Sequence, residues 1–332
     1  MPLNVGIIGL GVGESHIEGY TAAGAKVVAL CDFDQEKLQG AASRHPSVTA
    51  TYLDADALLD DPAIDVVSIA SYDKDHCRQV LRGLESGKHL FVEKPLCVSA
   101  EEARSIRSLM KKHPSLRLSS NLALRASPRF IKVRDLVESG EFGNLYHVEA
   151  DYLYGRIEKL LTGWRGQDPA YSVTLGGGIH VIDLLLWLTQ DQVVEVRAIG
   201  TQVATKGSQI AFPDTVTALL SFKSGMTGKV SSNFPCVHPH FHTLNLFGNL
   251  GTFQNDFTEG KRFTSRGTDS FVSLPEAYRP AGKHLLVTEF IREIQGDPSN
   301  HVSVESIFQA LSVCFAIDTS LKTGVAVVVE YL

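Results

Sequence analysis

Residues 5–13 read Val-Gly-Ile-Ile-Gly-Leu-Gly-Val-Gly, a short apolar run that leads directly into a cluster of glycines. A run of this length predicts a buried strand, and the glycines allow the chain to turn tightly into a helix. Backbone amides at the start of such a helix bind the pyrophosphate of a dinucleotide, which approaches closely where side chains are absent. We therefore predict a cofactor-binding turn formed by Gly9, Gly11, Val12 and Gly13.

Asp32 is the second part of this signal. It follows the next predicted strand, about 20 residues beyond the glycines, where dinucleotide-binding folds place a carboxylate for the adenosine ribose. Neither of the next two residues, Phe33 and Asp34, is an Arg or Lys, so NAD is favoured over NADP. Glu14 is a departure, because the usual fingerprint has a small residue there and this chain has its extra glycine one position earlier. The alternative is a plain turn with Asp32 as a helix cap, and the spacing favours the dinucleotide.

The first 120 residues alternate strand-length apolar runs with helix-like stretches, which is typical of βαβ units around a parallel sheet. The predicted strands are residues 5–9, 26–31, 65–70, 89–92 and 116–119, and the helical segments include 34–44, 76–86 and 100–113. Parallel strands buried on both faces should be apolar throughout, and these are. The prediction is an α/β chain that begins with a Rossmann domain, a doubly wound parallel sheet.

The rest of the chain has a different pattern, with longer alternating segments that favour a large, mostly antiparallel sheet with one open face. These segments are residues 146–154, 193–204, 215–222, 226–233 and 243–247, and helices are predicted at 128–138, 178–188 and 303–322. We place a boundary after residue 120. Residues 1–120 are predicted to form the NAD-binding domain and residues 121–332 an α+β domain for substrate binding and oligomerisation, whose C-terminal helix can pack back on the first domain.

Composition limits the class of protein. The chain has 332 residues, 44% of them hydrophobic, and a formal net charge of -6, which argues against a nucleic-acid surface. No uninterrupted apolar run reaches the roughly 18 residues of a membrane span, and no cleavage signal follows the apolar start, so we expect a cytoplasmic protein. The five cysteines form no CxxC pair, which indicates reduced thiols rather than structural zinc.

Glu93, Lys94 and Pro95 follow the fourth predicted strand, at the edge where open α/β sheets bind ligands. An ammonium group there can stabilise a developing alkoxide or lower the pKa of a substrate hydroxyl. A solvated ion pair beside a turn proline is an equally simple alternative. Spacing alone does not decide between the two.

Several segments together resemble the Gfo/Idh/MocA oxidoreductases, a family that includes glucose-fructose oxidoreductase and inositol dehydrogenases. The segments are residues 9–11 (Gly-Leu-Gly), 87–89 (Gly-Lys-His), 92–96 (Val-Glu-Lys-Pro-Leu), 139–143 (Ser-Gly-Glu-Phe-Gly) and 176–183 (Gly-Gly-Gly-Ile-His-Val-Ile-Asp). The resemblance spans nearly the whole chain. It implies that Lys94 lies beside the nicotinamide and the reacting carbon, and that the Lys94–Pro95 bond is cis.

The same resemblance implies that His180 transfers the proton, a task that suits imidazole because its pKa lies near working pH. Asp183 is one helical turn further on and can hold the ring in one tautomer, which makes it the third catalytic candidate. A buried histidine satisfied by backbone is the alternative. Many relatives carry an Asp four residues before this His, where the present chain has Gly176, and the sequence does not say what replaces it.

Further candidates come from the resemblance and from residue chemistry. Contacts with the cofactor are expected from Ser71, Tyr72, His76, Glu93 and Asn121, with a plain surface loop as the alternative for the first three. Substrate cavities commonly combine aromatic faces with a few directed donors. Arg125, Tyr154, Trp164 and Arg165 therefore join His180 as substrate candidates, with packing between the domains as the alternative.

His238, His240 and His242 alternate, so in a strand all three would face one side, which raises zinc as a hypothesis. Pro239 interrupts regular pairing, and no carboxylate or cysteine stands at ligand spacing, so we expect no metal. A pocket edge or an oligomer contact is the preferred interpretation. Because a large open sheet face should be covered, we predict a homodimer or homotetramer formed through it.

The sequence thus predicts an NAD-dependent oxidoreductase that moves a hydride between the nicotinamide and a secondary alcohol or ketone of a sugar, inositol or nucleotide sugar. The alternative is a non-catalytic protein that senses NAD or a sugar, for which Lys94 and His180 would be superfluous. Substrate identity, stereochemistry, direction in the cell, oligomeric order and cofactor retention are not determined at this level.

Overall fold

A computed structural model describes residues 2–279, 285–297 and 302–332. The chain divides into two units. Unit 1 extends from the N-terminus to Ala123 and includes residues 285–297 and 302–308, and unit 2 holds residues 124–279 and 309–331. The division lies close to the boundary predicted after residue 120, and the first residues of the C-terminal helix belong to unit 1. That the rest of this helix packs back on the first domain remains a prediction.

Unit 1 contains a six-stranded sheet in the order β3-β2-β1-β4-β5-β6, and every neighbouring pair is parallel. The strands are β1 (Asn4–Ile8), β2 (Lys26–Cys31), β3 (Ala50–Tyr52), β4 (Val66–Ile69), β5 (His89–Val92) and β6 (Leu118–Ser120). This order is that of a doubly wound dinucleotide-binding sheet. The central strands are buried on both faces, which explains their unbroken apolar sequence.

Unit 2 contains a ten-stranded sheet in the order β15-β14-β13-β12-β7-β10-β9-β8-β16, with β11 paired to β7. The strands are β7 (Leu145–Leu153), β8 (Val193–Thr201), β9 (Thr215–Phe222), β10 (Thr227–Asn233), β11 (Phe241–His242), β12 (Asn245–Gly248), β13 (Thr252–Asn255), β14 (Gly260–Phe263), β15 (Val272–Leu274) and β16 (Val327–Val328). The pair β7–β10 is parallel, and the other pairs are antiparallel. The predicted fold class is confirmed.

Ten α-helices accompany the sheets in the described residues. They are α1 (His16–Ala22), α2 (Gln35–Arg44), α3 (Ala55–Leu59), α4 (His76–Glu85), α5 (Ala100–Lys112), α6 (Pro128–Glu138), α7 (Glu158–Leu161), α8 (Ile179–Thr189), α9 (Leu285–Ile294) and α10 (Val304–Thr323). Several begin at a capping side chain, as sequence rules predict. Asp34 accepts the amide of Lys37 at 3.1 Å, and Ser99 accepts the amide of Glu102 at 3.2 Å.

One face of the unit 2 sheet is buried and the other is open. Val148, Ala218 and Leu220 are at most 3% exposed on the inner face, while Ile199 and Leu219 on the outer face are 72% and 61% exposed. This alternation is the pattern on which the prediction of an open-faced sheet rested.

Helix α10 is long and apolar enough to cross a membrane by length and composition alone. Its residues Ile307, Leu311, Cys314 and Ile317 recur at helical spacing and are at most 1% exposed. Such a buried stripe is what the core helix of a globular protein requires.

Candidate active site

Each glycine of the turn after β1 has its own reason to be glycine. Gly9 has a φ of 84°, and a Cβ atom there would lie 2.3 Å from the carbonyl oxygen of Ala70. A Cβ at Gly13 would lie 2.9 Å from Ile7, so Gly13 takes the close-packing role that the fingerprint gives to the next residue. Among the described residues, nothing lies within 4 Å of a Cβ atom built at Gly11, so packing does not require a glycine there.

Glu14, the departure noted in the sequence, is occupied elsewhere. Its carboxylate accepts a hydrogen bond from Arg44 Nε at 2.9 Å and lies 3.1 Å from His45 Nε2. It therefore links the residues after the glycine turn to the end of α2, and its presence does not prevent Gly13 from packing on β1.

Asp32 ends β2 and is buried, with 4% of its surface exposed. Its Oδ2 accepts the amide of Leu10 at 2.8 Å, and its Oδ1 accepts the amide of Asp34 at 3.1 Å. Burial alone would raise the pKa of Asp32, but these bonds and the nearby Lys37 outweigh it and lower the pKa. The carboxylate is thus held charged and fixed against the glycine turn, as a ribose-binding carboxylate must be.

Lys37 is a residue that the sequence analysis missed. Its Nζ lies 2.9 Å from Asp32 Oδ2, because residue 37 is in the first turn of α2 and faces the end of β2. The preference for NAD rested on Phe33 and Asp34 alone, and Lys37 lies beyond these two residues. The sequence held a signal for this contact. Lys37 is the third residue after the helix cap Asp34, and a side chain at that position points back toward the start of the helix and the strand before it.

Two exposed rings lie close together in unit 1. Phe33, the residue after Asp32, is 73% exposed and Tyr72 is 36% exposed, and their ring centroids are 6.0 Å apart. Together they form an exposed apolar surface. An open backbone turn, a fixed carboxylate and exposed aromatic faces together fit the pyrophosphate and adenosine of a dinucleotide.

His76 and Ser71 hold the loop after β4 in place. His76 is fully buried, with Nδ1 at 2.7 Å from the carbonyl oxygen of Pro95 and Nε2 at 3.2 Å from that of Ser71. The hydroxyl of Ser71 donates to Gln79 at 2.6 Å. These contacts make His76 a support of the loop rather than a surface group that reaches a ligand.

Glu93, at the end of β5, is the centre of a polar network in unit 1. Its Oε1 lies 3.2 Å from His16 Nε2 and accepts Asn121 Nδ2 at 2.6 Å, while His16 Nδ1 lies 2.9 Å from the hydroxyl of Ser68. Burial would raise the pKa of Glu93, but His16, Asn121 and Lys94 lower it to about 2. The sequence named Glu93 and Asn121 separately; that they are bonded, and that His16 joins them, comes from the structure.

Lys94 follows Glu93 and precedes a cis peptide bond to Pro95, as the resemblance implied. Its backbone amide donates to Glu93 Oε2 at 3.3 Å. The lysine is therefore next to a carboxylate that stays charged over the range in which proteins work.

In unit 2, His180 lies in the first turn of α8 within a cluster of rings. Its imidazole stacks on Tyr152 with centroids 6.0 Å apart and planes 16° apart, and it lies 5.8 Å from the ring of His242. Tyr154 in turn stacks on Tyr152 at 5.8 Å and packs against Phe234 at 4.7 Å. The imidazole of His180 thus lies among aromatic rings, several of which carry a polar atom at the edge. Such a surface suits a hydroxylated ligand. The sequence named Tyr154 and His180 but missed Tyr152, although two tyrosines at alternate positions of a strand share one face.

The three alternating histidines do not share one face. His240 and His242 lie with ring centroids 5.0 Å apart, and each is within 5.3 Å of Tyr152. His238 instead stacks on Phe257 at 5.3 Å. The alternation fails because Phe241 and His242 alone are in a strand, so the period of two does not extend back past Pro239. Among the described residues no group of three His, Cys, Asp or Glu side chains is arranged to hold a metal ion.

His242 is a buried neutral imidazole. Burial lowers its pKa to about 3, with His240 and Arg279 as further causes. Its Nδ1 is hydrogen-bonded to the hydroxyl of Tyr278, and the side chain of Asn255 donates to its carbonyl oxygen at 2.8 Å. The Nε2 atom of this ring is buried and has no hydrogen-bond partner among the residues that the structure describes. His180 therefore has an uncharged imidazole as its neighbour, with the two ring centroids 5.8 Å apart.

The segment that leads into α8, Thr174–Gly178, has a π-helical turn, a feature often found at functional sites. A Cβ at Gly177 would lie 2.4 Å from the ring of Tyr152, and one at Gly178 would lie 2.3 Å from Ser232 Oγ. Bulk at these two positions would push α8, and His180 with it, away from the strands.

Arg125 and Asp183 form a buried ion pair in unit 2, and their side chains are 4% and 1% exposed. Arg125 Nε donates to Asp183 Oδ2 at 2.9 Å, and its Nη2 donates to Oδ1. Burial raises the pKa of Asp183, and Arg125 opposes this. Both carboxylate oxygens accept hydrogen bonds from the arginine. The role of Asp183 in holding the tautomer of His180 and the contact of Arg125 with the substrate remain predictions.

Trp164 and Arg165 belong to a 3-10 turn, Trp164–Gln167. The guanidinium of Arg165 lies 4.7 Å from the indole centroid, and Trp164 packs edge-on against Tyr171 at 5.9 Å. Both residues are half-buried, and Tyr171 connects them to the ring cluster through Phe234 at 6.4 Å. Their prediction as substrate residues remains a prediction.

Comparison with known proteins decides the family. Residues 3–121 match the description "Oxidoreductase family, NAD-binding Rossmann fold", and residues 130–254 match "GFO/IDH/MocA C-terminal domain". The chain belongs to the GFO/IDH/MocA oxidoreductases. The resemblance inferred from the sequence is confirmed: this family member is an NAD-binding oxidoreductase, and its cofactor is NAD.

Three of the relatives are distant but match over nearly their whole length. The chain is 24% identical over 346 residues to myo-inositol 2-dehydrogenase from Thermotoga maritima, with 99% of each chain covered. The structure of myo-inositol 2-dehydrogenase from Lactobacillus plantarum superposes with a TM-score of 0.85 at 22% identity and covers 99% of this chain and 100% of that one. Levoglucosan dehydrogenase in complex with NADH gives 0.86 at 21% identity, with all of both chains covered.

Proposed function

We propose that this GFO/IDH/MocA member is an NAD-dependent dehydrogenase that oxidises a secondary alcohol of an inositol, sugar or nucleotide sugar to a ketone, and catalyses the reverse reduction. The observation that carries the proposal is the setting of His180, an imidazole stacked on Tyr152 at the start of α8 in a chain of an NAD-binding oxidoreductase family. The relatives named as inositol and levoglucosan dehydrogenases support the class of substrate.

The cofactor would be held by groups of unit 1. The amides after Gly9 and the open space at Gly11 would receive the pyrophosphate, and Asp32 would accept the ribose hydroxyls. Phe33 and Tyr72 would cover the adenine with their exposed faces. Asn121, anchored on Glu93, would lie toward the nicotinamide, as the resemblance implies.

Bound NAD⁺ supplies a hydride acceptor. The substrate carbon gives up a hydride with its electron pair, and the hydroxyl oxygen gives up a proton, so that a C=O bond forms. His180 takes the proton, a transfer that typically contributes 10²–10⁴-fold to rate. Lys94 stabilises the negative charge that develops on the oxygen, and Glu93, the residue before it, is charged.

Two other roles follow from the contacts. Arg125 and Asp183 act as a structural ion pair that fixes α8 rather than as reacting groups.

The outer face of the unit 2 sheet, with Ile199 and Leu219 exposed and Phe247 half-exposed on one side, would form the contact of a homodimer or homotetramer. We place the protein in the cytoplasm, where NAD and small polyols meet.

The test is NADH fluorescence during incubation of NAD⁺ with a panel of myo-inositol, scyllo-inositol, glucose, levoglucosan and a nucleotide sugar. We expect turnover of at least one compound, and a loss of roughly 10²-fold or more in kcat for Lys94→Ala and His180→Ala. Lys111→Ala and His238→Asn are matched controls, because the first is on the exposed side of α5 and the second stacks on Phe257 away from His180.

Binding of NAD⁺ without turnover of any compound in the panel would favour the sensor instead. Turnover that survives both Lys94→Ala and His180→Ala would leave the enzyme class intact but remove these two residues from its chemistry.

A further inference from the structure

His16 connects the glycine turn of unit 1 to the ends of other strands in the parallel sheet. It is the first residue of α1, shortly after Gly13, and it is 1% exposed. Its Nε2 lies 3.2 Å from Glu93 Oε1, and its Nδ1 lies 2.9 Å from the hydroxyl of Ser68. The ring is also perpendicular to that of Phe91, with centroids 5.5 Å apart. With both nitrogens bonded and a ring packed against it, the imidazole is held in one orientation.

The hydrogen bond between His16 and Glu93 has a fixed direction. Burial would raise the pKa of Glu93, and the bond from His16 is the largest of the contributions that lower it to about 2. Glu93 is therefore a carboxylate at neutral pH, and a carboxylate can only accept hydrogen bonds. It follows that His16 Nε2 carries a hydrogen and donates it to Glu93.

Glu93 in turn fixes the side chain of Asn121. Its Oε1 accepts Asn121 Nδ2 at 2.6 Å, and its Oε2 accepts the backbone amide of Lys94 at 3.3 Å. Because the carboxylate cannot donate, Asn121 must present its NH₂ group to Glu93, so Oδ1 points away from it. Asn121 Oδ1 is buried and has no hydrogen-bond partner among the residues that the structure describes. A buried acceptor is normally hydrogen-bonded, which leaves Oδ1 for a donor on a ligand.

These contacts lie on one side of the cofactor site that we propose for unit 1. Asp32 follows β2 and would bind the adenosine ribose. Glu93 and Asn121 follow β5 and β6, which lie on the other side of β1 in the order β3-β2-β1-β4-β5-β6. A dinucleotide binds across the carboxyl ends of such a sheet, at the point where the strand order reverses. Glu93 and Asn121 are thus on the side opposite to adenosine, where the nicotinamide half would lie.

We propose that His16 is a positioning residue for the nicotinamide half of NAD. By its bond to Glu93 it holds the carboxylate that orients Asn121, and Asn121 Oδ1 accepts a hydrogen bond from the carboxamide NH₂ of the nicotinamide. The inference rests on the proposed function for the place of the cofactor. It does not depend on which alcohol is oxidised.

ADP-ribose is the probe that isolates this role, because it has the adenosine and pyrophosphate of NAD but no nicotinamide. Isothermal titration calorimetry of the full-length protein, with NAD⁺ and with ADP-ribose, measures both values of Kd. A change that disturbs the glycine turn weakens both ligands, whereas a misplaced Asn121 weakens NAD⁺ alone.

His16→Asn and His16→Gln form a matched pair of variants. An asparagine can bond to Ser68 in place of Nδ1 but is too short to reach Glu93, while a glutamine carries an NH₂ group near the place of Nε2. We expect His16→Asn to raise the Kd of NAD⁺ about tenfold, as loss of a hydrogen bond to a charged group should, and to leave that of ADP-ribose within about twofold. His16→Gln should leave both within about threefold.

Three results would overturn the proposal. The first is an equal loss of NAD⁺ and ADP-ribose binding in His16→Asn, which would make His16 a support of the glycine turn only. The second is no loss of either ligand. The third is an equal effect of His16→Asn and His16→Gln, because only the latter keeps a donor for Glu93.

Asn121→Ala gives a second measurement that does not require an altered His16 to fold. It removes the group through which His16 acts, and it should also weaken NAD⁺ about tenfold while ADP-ribose binds as before. Combined with His16→Asn, it should bind NAD⁺ no more weakly than Asn121→Ala alone, since both changes break the same set of contacts. Losses that add, or an equal loss of ADP-ribose, count against the proposal.

Turnover separates this proposal from the proposed function, since the titrations contain no substrate. A selective loss of NAD⁺ binding, without turnover of any compound in the panel by the unaltered protein, removes the dehydrogenase and leaves the role of His16. Turnover by the unaltered protein, with the same ratio of the two Kd values in His16→Asn, does the reverse.

Discussion

The two units bring their candidate functional groups together in different ways. In unit 1 the groups nearest the glycine turn lie at the ends of neighbouring parallel strands, and a Cβ atom at Gly9 would overlap the backbone of Ala70. In unit 2 the rings around His180 come from β7, α8, the end of β10 and β11, and they contact one another through their side chains. Sheet geometry fixes the first set, while mutual packing fixes the second.

Because of this difference, we expect the two units to respond differently to substitutions. Backbone contacts cannot relax without moving strands, so unit 1 should tolerate no added atom at Gly9. Side-chain clusters can repack, so unit 2 should depend more on charge balance than on any one ring. Both tryptophans, Trp164 and Trp187, lie in unit 2, so their fluorescence follows that unit, whereas NADH binding follows unit 1.

The largest effect is expected from Arg125→Met, which leaves the buried carboxylate of Asp183 without its partner. Breaking a buried pair in this way costs about 3–5 kcal/mol. Urea unfolding followed by tryptophan fluorescence measures the loss. Arg125→Met with Asp183→Leu removes both charges and should recover most of it; a double variant as unstable as the single one would mean that the pair has a further role.

Gly9→Ala should come next, at about 2–5 kcal/mol, because it adds left-handed backbone strain to an overlap with Ala70. The matched change is Gly11→Ala, where the space is open. It should leave the free energy of unfolding within about 0.5 kcal/mol and weaken NADH binding, since the added methyl group meets the ligand instead. Equal stability losses in the two variants would contradict the division of roles between these glycines.

Acid should weaken unit 2 at a higher pH than the Glu93 network of unit 1. His242 has a folded pKa of about 3 against 6.5 for an ordinary histidine, so its stabilising contribution is present above pH 6.5 and is lost as pH falls toward 3. The pKa of Glu93 is about 2 in the folded protein, against 4.5 for an ordinary glutamate. Its contribution to stability is therefore lost only as the pH falls below 4.5. Between pH 6.5 and 5, His242→Gln should flatten the slope of unfolding free energy by up to about 1.4 kcal/mol per pH unit. An unchanged slope would mean that His242 titrates normally.

The smallest effect is expected from Lys37→Ala. Its ammonium partly neutralises Asp32, and with 39% of its side chain exposed the interaction is screened by solvent. We expect NADH to bind as before, and the preference for NADH over NADPH to rise about threefold, because an unscreened Asp32 repels the 2′-phosphate more. Fluorescence titration with both cofactors measures this, and Lys111→Ala is the exposed control. A fall in preference would reverse the role assigned to Lys37.

The sequence predicted more of unit 1 than of unit 2, and the reason is physical. The glycine turn, Asp32 and the Glu93–Lys94–Pro95 segment are contiguous motifs, and parallel strands bring their carboxyl ends to one edge whatever the details of packing. His16 and Lys37 were missed because each joins the site through a helix face rather than through a motif. In unit 2, periodicity did not reveal the short strands β13 to β16. It also did not reveal that His238 is separated from His240 and His242.

The sequence by itself determined the alternation of strands and helices in the Rossmann domain, the preference for NAD and the identity of His180 and Lys94 as candidates, because each is encoded in residues close along the chain. Tertiary structure alone decided that Asp183 pairs with Arg125 and that His242 is buried and neutral. Those outcomes depend on distances between residues far apart or separated by a turn, and such distances exist only once the side chains have packed.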